Sequence, residues 1–431
     1  MPIDFKKTTL DNGLRIVVVE HHKFPVVAVN LLVRAGSVHD PQGHEGLANI
    51  VAQLLREGTH EKDSLEIADA IDFIGGTLSV ESDCDSTSVT ASALAKHFTL
   101  ILKVLSDVTR SPAFPPEKTE FQRNRSIASI LREKDNKMSL GSRNFIQMLY
   151  GMHPYGHPPI GTVNGLKSIK REAILAFHKE HFLPNNSILT VVGDINTATV
   201  LAAIEEIFGK WKKGDTKEIL FPPIHKINGH TVRIVDKPDL TQTDIHIGHI
   251  GIKRTEPDYF AIVLLNYVLG RGPVSRLYTK LRAEKGLTYG VTSMFDSRNL
   301  RGPFFIRTYS KNESAVEVLQ IVLDELLKIT LKGVTRTELD RAKSYYAGNF
   351  PLSIETPSQI AAKIIEQEFY GLPEDYVTKY LIHINEVSLE EVNHAAKRVL
   401  DPGNVVAVLV SKAEDILDEA RGLGVVEVKE P

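Results

Sequence analysis

The chain has 431 residues, 42% of them hydrophobic and 24% charged, with a formal net charge of -3. A single core stops growing near roughly 250 to 300 residues, so more than one domain is expected of an otherwise ordinary globular composition. Lys and Arg are interspersed with Asp and Glu, which gives no reason to expect nucleic acid or an anionic membrane as partner, and the lone cysteine, Cys84, excludes an intrachain disulfide and a thiolate zinc cluster.

The chain opens with Met1-Pro2-Ile3-Asp4-Phe5-Lys6-Lys7, which lacks the apolar core of a signal peptide. No run of about 18 apolar residues follows anywhere, so no membrane insertion is expected. The sequence as given reads as cytoplasmic, and periplasmic residence stays open because a removed leader replaced by a start methionine would look the same. Residues 13–20 and 26–33 read as strands, the first after an Asp11-Asn12-Gly13 turn and the second as a buried apolar run. From Glu45 to Gly58, Leu47, Ile50, Val51, Leu54 and Leu55 recur at i, i+3, i+4, i+7 and i+8, which predicts a helix with one buried face. Asn49 and Gln53, four apart, project side by side from another face with Ala52 beside them.

A second helix is expected over 64–74 behind an Asp63-Ser64 cap signal, then hairpin-like strands at 77–81 and 87–93 and an amphipathic helix over 97–109. Helices follow at about 118–134 and 169–182, before a strand at 187–192. An internal echo decides the architecture: Phe182 to Val192 is matched by Val399 to Leu409, and the pattern from Leu54 to Gly76 is repeated from Leu264 to Gly290. Between the halves lies the charged and breaker-rich run Lys210-Trp211-Lys212-Lys213-Gly214-Asp215 and then Phe221-Pro222-Pro223. The expected fold is α+β, two similar sheet-plus-helix domains (1–214 and 228–431) produced by internal duplication and joined by a linker at 215–227. In the second half, Ser275 to Gly290 predicts a helix with Leu277 and Leu281 on one face, a stop at Gly286, and Tyr289 opening the next strand.

The helix at 45–58 resembles the active-site helix of the pitrilysin-type inverzincin peptidases, the family of insulin-degrading enzyme and mitochondrial processing peptidase. The frame Gly46-Leu47-Ala48 and Gly58-Thr59 is kept, but Asn49-Ile50-Val51-Ala52-Gln53 stands where active members carry His-x-x-Glu-His. Neutral amides are poor zinc ligands and Ala52 has no carboxylate to activate water. Aligning Asp135-Asn136 and His153-Pro154-Tyr155-Gly156 with the family's downstream markers puts Ser129 at the third-ligand position, with Glu133 one turn away. No metal is therefore expected on this chain. Ser275 to Gly290 closely resembles the family's C-terminal motif, in which an arginine and a tyrosine seven apart hold substrate and stabilise the tetrahedral intermediate; Arg282 and Tyr289 match it.

The resemblance thus implies that the two domains enclose a cavity and that labour is divided, a sister subunit carrying His-x-x-Glu-His and Zn²⁺ being complemented by Arg282 and Tyr289 on an extended peptide substrate bound by strand addition. Two other functions compete with it: a structural or peptide-binding homologue with no part in proteolysis, comparable to the core subunits of respiratory complex III, and an independent zinc metallopeptidase. Other histidine groups read blandly. His39, His44 and Glu45 fall in a Gly- and Pro-containing loop, His178 and His181 lie on a helix with neither apolar nor acidic surroundings, and 244–250 alternates as a strand with one buried face. The run 210–213 reads as a solvated helix end and 153–159 as a structural turn.

Overall fold

The computed structural model describes residues 4–216 and 221–431. Residues 1–3 of the N-terminal reading and 217–220 of the expected linker lie outside the described residues. The chain forms two compact units. One comprises Met1–Ile130, His157–Phe221 and Phe350–Lys379, the other Leu131–Gly156, Pro222–Asn349 and Tyr380–Pro431.

The first unit is built on six strands, β1 (Lys6–Thr9), β2 (Arg15–Glu20), β3 (Val26–Val33), β4 (Thr77–Ser82), β5 (Thr87–Leu94) and β6 (Ser187–Gly193), in the order β1-β2-β6-β3-β5-β4. β6 is parallel to β2 and antiparallel to β3. All seven residues of β6 are buried, as are the last seven of β3, because the middle of the sheet is covered on both faces. Leu31 and Leu189 enter the main core, with helices α1 (Leu47–Leu54), α2 (Ser64–Asp72) and α3 (Phe98–Arg110). Their neighbours Leu32 and Ile188 turn to the opposite face and meet Ile365 and Phe369 of the helix Pro357–Tyr370. Arg34 reinforces that docking, donating to Glu368 O at 3.2 Å and lying over the Phe369 ring at 4.8 Å.

The second unit repeats the plan with β7 (Thr231–Asp236), β8 (Gln242–Ile250), β9 (Val291–Phe295), β10 (Pro303–Lys311), β11 (Val406–Ser411) and β12 (Val425–Lys429), ordered β12-β7-β11-β8-β10-β9. β11 is parallel to β7 and antiparallel to β8, as β6 is to β2 and β3. The strand echo in the sequence is therefore a structural equivalence, and the two-domain α+β fold follows from it. Helix α4 (Pro116–Glu133) ends the first segment of the first unit, and α5 (Lys137–Tyr150), which follows it, belongs to the second unit and packs on β8 and β11. Each sheet is thus covered on its second face by a helix from the opposite half of the sequence.

That covering corrects the reading of 244–250. β8 is buried on both faces, not one, because α5 lies where solvent was expected. His246 and Asp244 face α5 as a buried pair, Nε2 to Oδ1 at 2.7 Å. α5 approaches them at Gly141, where a Cβ would stand 2.6 Å from His246 Cδ2.

Candidate functional site

α1 begins where Gly46 takes a left-handed φ of 104°, in a space that an added Cβ would close to 2.8 Å from Ile160 O. The opening turn is capped from a distance: Asp40 accepts from Gly46 N at 2.7 Å and Ala48 N at 2.8 Å. Burial raises the Asp40 carboxyl to about 7, the two backbone donors opposing and the nearby Glu45 adding to the rise. Leu47, Ile50, Val51 and Leu54 point into the core. Ala52 is 1% exposed, while Asn49 and Gln53 are half-buried on the face left over.

That face carries a polar ladder. Gln53 Oε1 accepts from Ser126 Oγ of α4 at 3.5 Å, Glu57 accepts from Gln122 Nε2 at 2.8 Å and pairs with Lys118 at 3.1 Å, and Arg56 Nη1 donates to Leu78 O of β4 at 3.0 Å. Ser129 is half-buried, one turn beyond Ser126 on α4. Glu133 is ion-paired with Arg143 in the second unit. The donors at 49, 52, 53 and 129 thus comprise two neutral amides, a hydroxyl and no imidazole, a set that does not fit zinc. Among the described residues no group of three or more His, Cys, Asp or Glu is placed to hold a metal.

β4 is an open edge. Asp83 N donates to Ser86 O at 2.9 Å where the β4–β5 hairpin closes, and antiparallel ladders alternate from that bond outward. Thr77, Ser79 and Glu81 therefore bond β5, and Leu78, Val80 and Ser82 turn their N–H and C=O groups to the edge. The Arg56 bond to Leu78 O falls on that outward row.

In the second unit, Arg276–Tyr278 continues into the π-helical turn Thr279–Glu284, anchored by fully buried Leu277 and Leu281. Arg276 fixes the start through both oxygens of Glu338 at 2.7 Å. Gly286 ends the turn at φ +64°. Arg282 is exposed; its guanidinium bonds the Tyr278 hydroxyl and lies 5.0 Å from that ring. Tyr289 is 76% exposed and its hydroxyl has no partner among the described residues. It precedes β9 by two residues instead of opening it, which leaves it outside the ladder and free of a sheet face.

His39, His178 and His153 hold structural positions. His39, half-buried against His181 with ring centroids 5.0 Å apart, is held down to about 4 by its desolvation. Glu45 accepts from Gly43 N at 2.8 Å and so closes its own loop. His178 contradicts the expectation of bare surroundings: it stacks on Phe182 at 4.7 Å, meets Phe114 edge-on at 5.3 Å and bonds Thr109 O at 2.7 Å. His153 is buried and accepts from Tyr155 N at 3.0 Å, within a fixed turn. Trp211 in the run 210–213 is only 8% exposed and packs on Phe208.

Comparison with known proteins places this arrangement. A family profile described as insulinase (peptidase family M16) matches residues 15–162, and one described as the peptidase M16 inactive domain matches 168–346. This chain belongs to the M16 peptidase family. It is 27% identical over 406 residues to an uncharacterized zinc protease of Mycobacterium leprae, covering 94% of this chain and 91% of that one. A second uncharacterized zinc protease, from Bacillus subtilis, is 24% identical, with 94% and 98% covered. Among solved structures, a peptidase M16 inactive domain from Pseudomonas fluorescens matches with a TM-score of 0.90 at 26% identity, covering 95% and 98%. A protease from Helicobacter pylori matches in fold with a TM-score of 0.89 at 21% identity, covering 95% and 100%. Within this M16 chain, sequence reasoning points to 49, 52, 53, 129, 282 and 289. It does not single out Asp40 and Arg56, whose partners lie six to twenty-two residues away and carry no local pattern.

Proposed function

We propose that this M16 chain is the non-metal-binding subunit of a two-subunit zinc endopeptidase, lending Arg282 and Tyr289 to a sister subunit that carries His-x-x-Glu-His. The observation that carries the reading is the contrast between the two units. α1 has no donor set for zinc, whereas Arg282 and Tyr289 are both exposed and no carboxylate neutralises the arginine among the described residues. A guanidinium presents several donors in a rigid fork to a peptide carbonyl or carboxylate. A phenolic hydroxyl aimed at a developing oxyanion lowers a barrier by roughly 3 kcal/mol. The metal and the water it activates belong to the sister subunit. The names of the M. leprae and B. subtilis relatives, both zinc proteases, support a proteolytic setting.

The substrate in this reading is an extended peptide that adds as a strand to an open edge such as β4, where Val80 and Ser82 present their backbone groups. The test mixes this chain with a neighbouring-encoded family member that keeps His-x-x-Glu-His and follows hydrolysis of a quenched-fluorescence peptide. The expected result is activity from the mixture and little from either chain alone. Full turnover by the neighbour alone, or failure of the two to associate, contradicts the reading. Unchanged turnover of the mixture with Arg282→Ala and Tyr289→Phe would favour a structural or peptide-binding homologue.

A further inference from the structure

The two sheets differ on the face turned away from their main cores. β5 and β10 hold the same place in the two sheets, and each runs into a short 3-10 turn, Ala95–His97 or Asn312–Ser314, so Thr90 and Arg307 correspond, each five residues before its turn. Phe305, Arg307 and Tyr309 therefore stand where the first sheet carries Ser88, Thr90 and Ser92. All lie on the second face, since Phe304 and Ile306, like Val89 and Ala91, enter the cores. Small hydroxyl side chains suffice there in one sheet. The fold alone does not call for a guanidinium between two rings in the other.

Arg307 is half-buried and has no carboxylate or hydrogen-bond partner among the described residues. On the same face Arg233 is held by Glu427 and His246 by Asp244, so those acids are already engaged. The edge beyond Arg307 is open: Thr292, directly across from it on β9, is exposed, and a Cβ at Gly290 would meet nothing within 4 Å. Tyr289 is joined to the same pair of strands. Thr308, next to Arg307, donates from Oγ1 to Gly290 O at 2.9 Å and lies 3.2 Å from Thr288 Oγ1, which fixes the backbone on either side of Tyr289. From Tyr289 to Thr292 is about 10 Å along an extended chain.

We propose that Arg307, with Phe305 and Tyr309 beside it, is a subsite for an acidic side chain of the peptide substrate, about three residues from the bond held at Tyr289. A half-buried guanidinium without a counter-ion is relieved by a carboxylate, which its planar fork meets through two parallel N–H donors. The rings offer apolar flanks to the methylenes of that side chain. The inference rests on the peptide-substrate reading above and adds to it a preference for Glu or Asp.

The test measures binding of dansyl-labelled Ala-Ser dodecapeptides to the full chain by fluorescence anisotropy, one with a single central Glu and companions with Gln or Lys in its place. The wild-type chain is expected to bind the Glu peptide about tenfold more tightly than the Gln peptide, the scale of one charge-assisted pair. Arg307→Thr should abolish that preference, and Arg307→Glu should transfer it to the Lys peptide. A preference gained by charge reversal cannot come from misfolding. Equal affinity of the wild-type chain for the Glu and Gln peptides, a preference for Glu that survives either substitution, or no binding by the wild-type chain would overturn the subsite. Because binding is read on this chain alone, a two-chain mixture that hydrolyses nothing would remove the divided active site and leave the preference standing, whereas equal affinities remove the subsite alone.

Discussion

At the scale of single residues, Arg282 and Tyr289 carry the chemistry proposed here. Replacing Tyr289 by Phe removes one donor from an oxyanion and is expected to lower kcat of the two-chain enzyme by about 100-fold, with a smaller change in KM. Because the side chain is 76% exposed, the same variant should leave the melting temperature of this chain unchanged. Equal loss of both would mean that the phenol is structural. Asp40 makes a prediction about pH. Its folded-state carboxyl titrates near 7 against an ordinary value of 3.8, so between about pH 4 and 7 the folded chain holds a proton that the unfolded chain has released. Stability therefore falls as pH rises through that window and does not recover above it. The urea midpoint of the wild-type chain should drop from pH 5 to pH 8 by more than that of Asp40→Asn, and identical slopes would contradict the burial argument. Asn49, Ala52 and Gln53 were legible in the sequence because ligand chemistry depends on residue type at fixed helical spacing. Asp40 was not, because a carboxylate that caps a helix from six residues away is recognisable only once the loop is folded.

At the scale of elements, strands were read well where burial is continuous. β3 and β6 are apolar runs that any sheet would bury. α5 and the helix Pro357–Tyr370 were not read. Each packs on a sheet supplied mainly by the other half of the sequence, so its buried face is set by residues far along the chain. The same cause hid the burial of His246 and Asp244 under α5, since alternation along β8 describes the strand and not its cover. Gly141 tests that packing. Alanine ordinarily stabilises a helix interior by roughly 0.5 to 1 kcal/mol over glycine. Here its Cβ would meet His246 Cδ2 at 2.6 Å and Nε2 at 2.8 Å in a buried, hydrogen-bonded pair. Overpacking typically costs about 1 to 3 kcal/mol, so Gly141→Ala should lower the denaturation midpoint. A raised midpoint would show that α5 packs less closely than described.

At the scale of the whole molecule, the internal echo carried most of the architecture, because β6 and β11 hold the same place in two sheets of the same order. The duplication explains how metal chemistry and substrate handling can be separated: two similar units can drift apart in their side chains while both sheets persist. In this chain α1 carries amides at 49 and 53 and an alanine at 52, and the second unit carries an exposed guanidinium and phenol at 282 and 289. The central claim is that the metal resides on another chain while this one completes the site. Its most direct test is the zinc content of the purified, active two-chain complex, measured by plasma mass spectrometry. The account predicts one zinc per pair, absent from this chain once the two are separated. Two per pair, or zinc that remains with this chain, would contradict it.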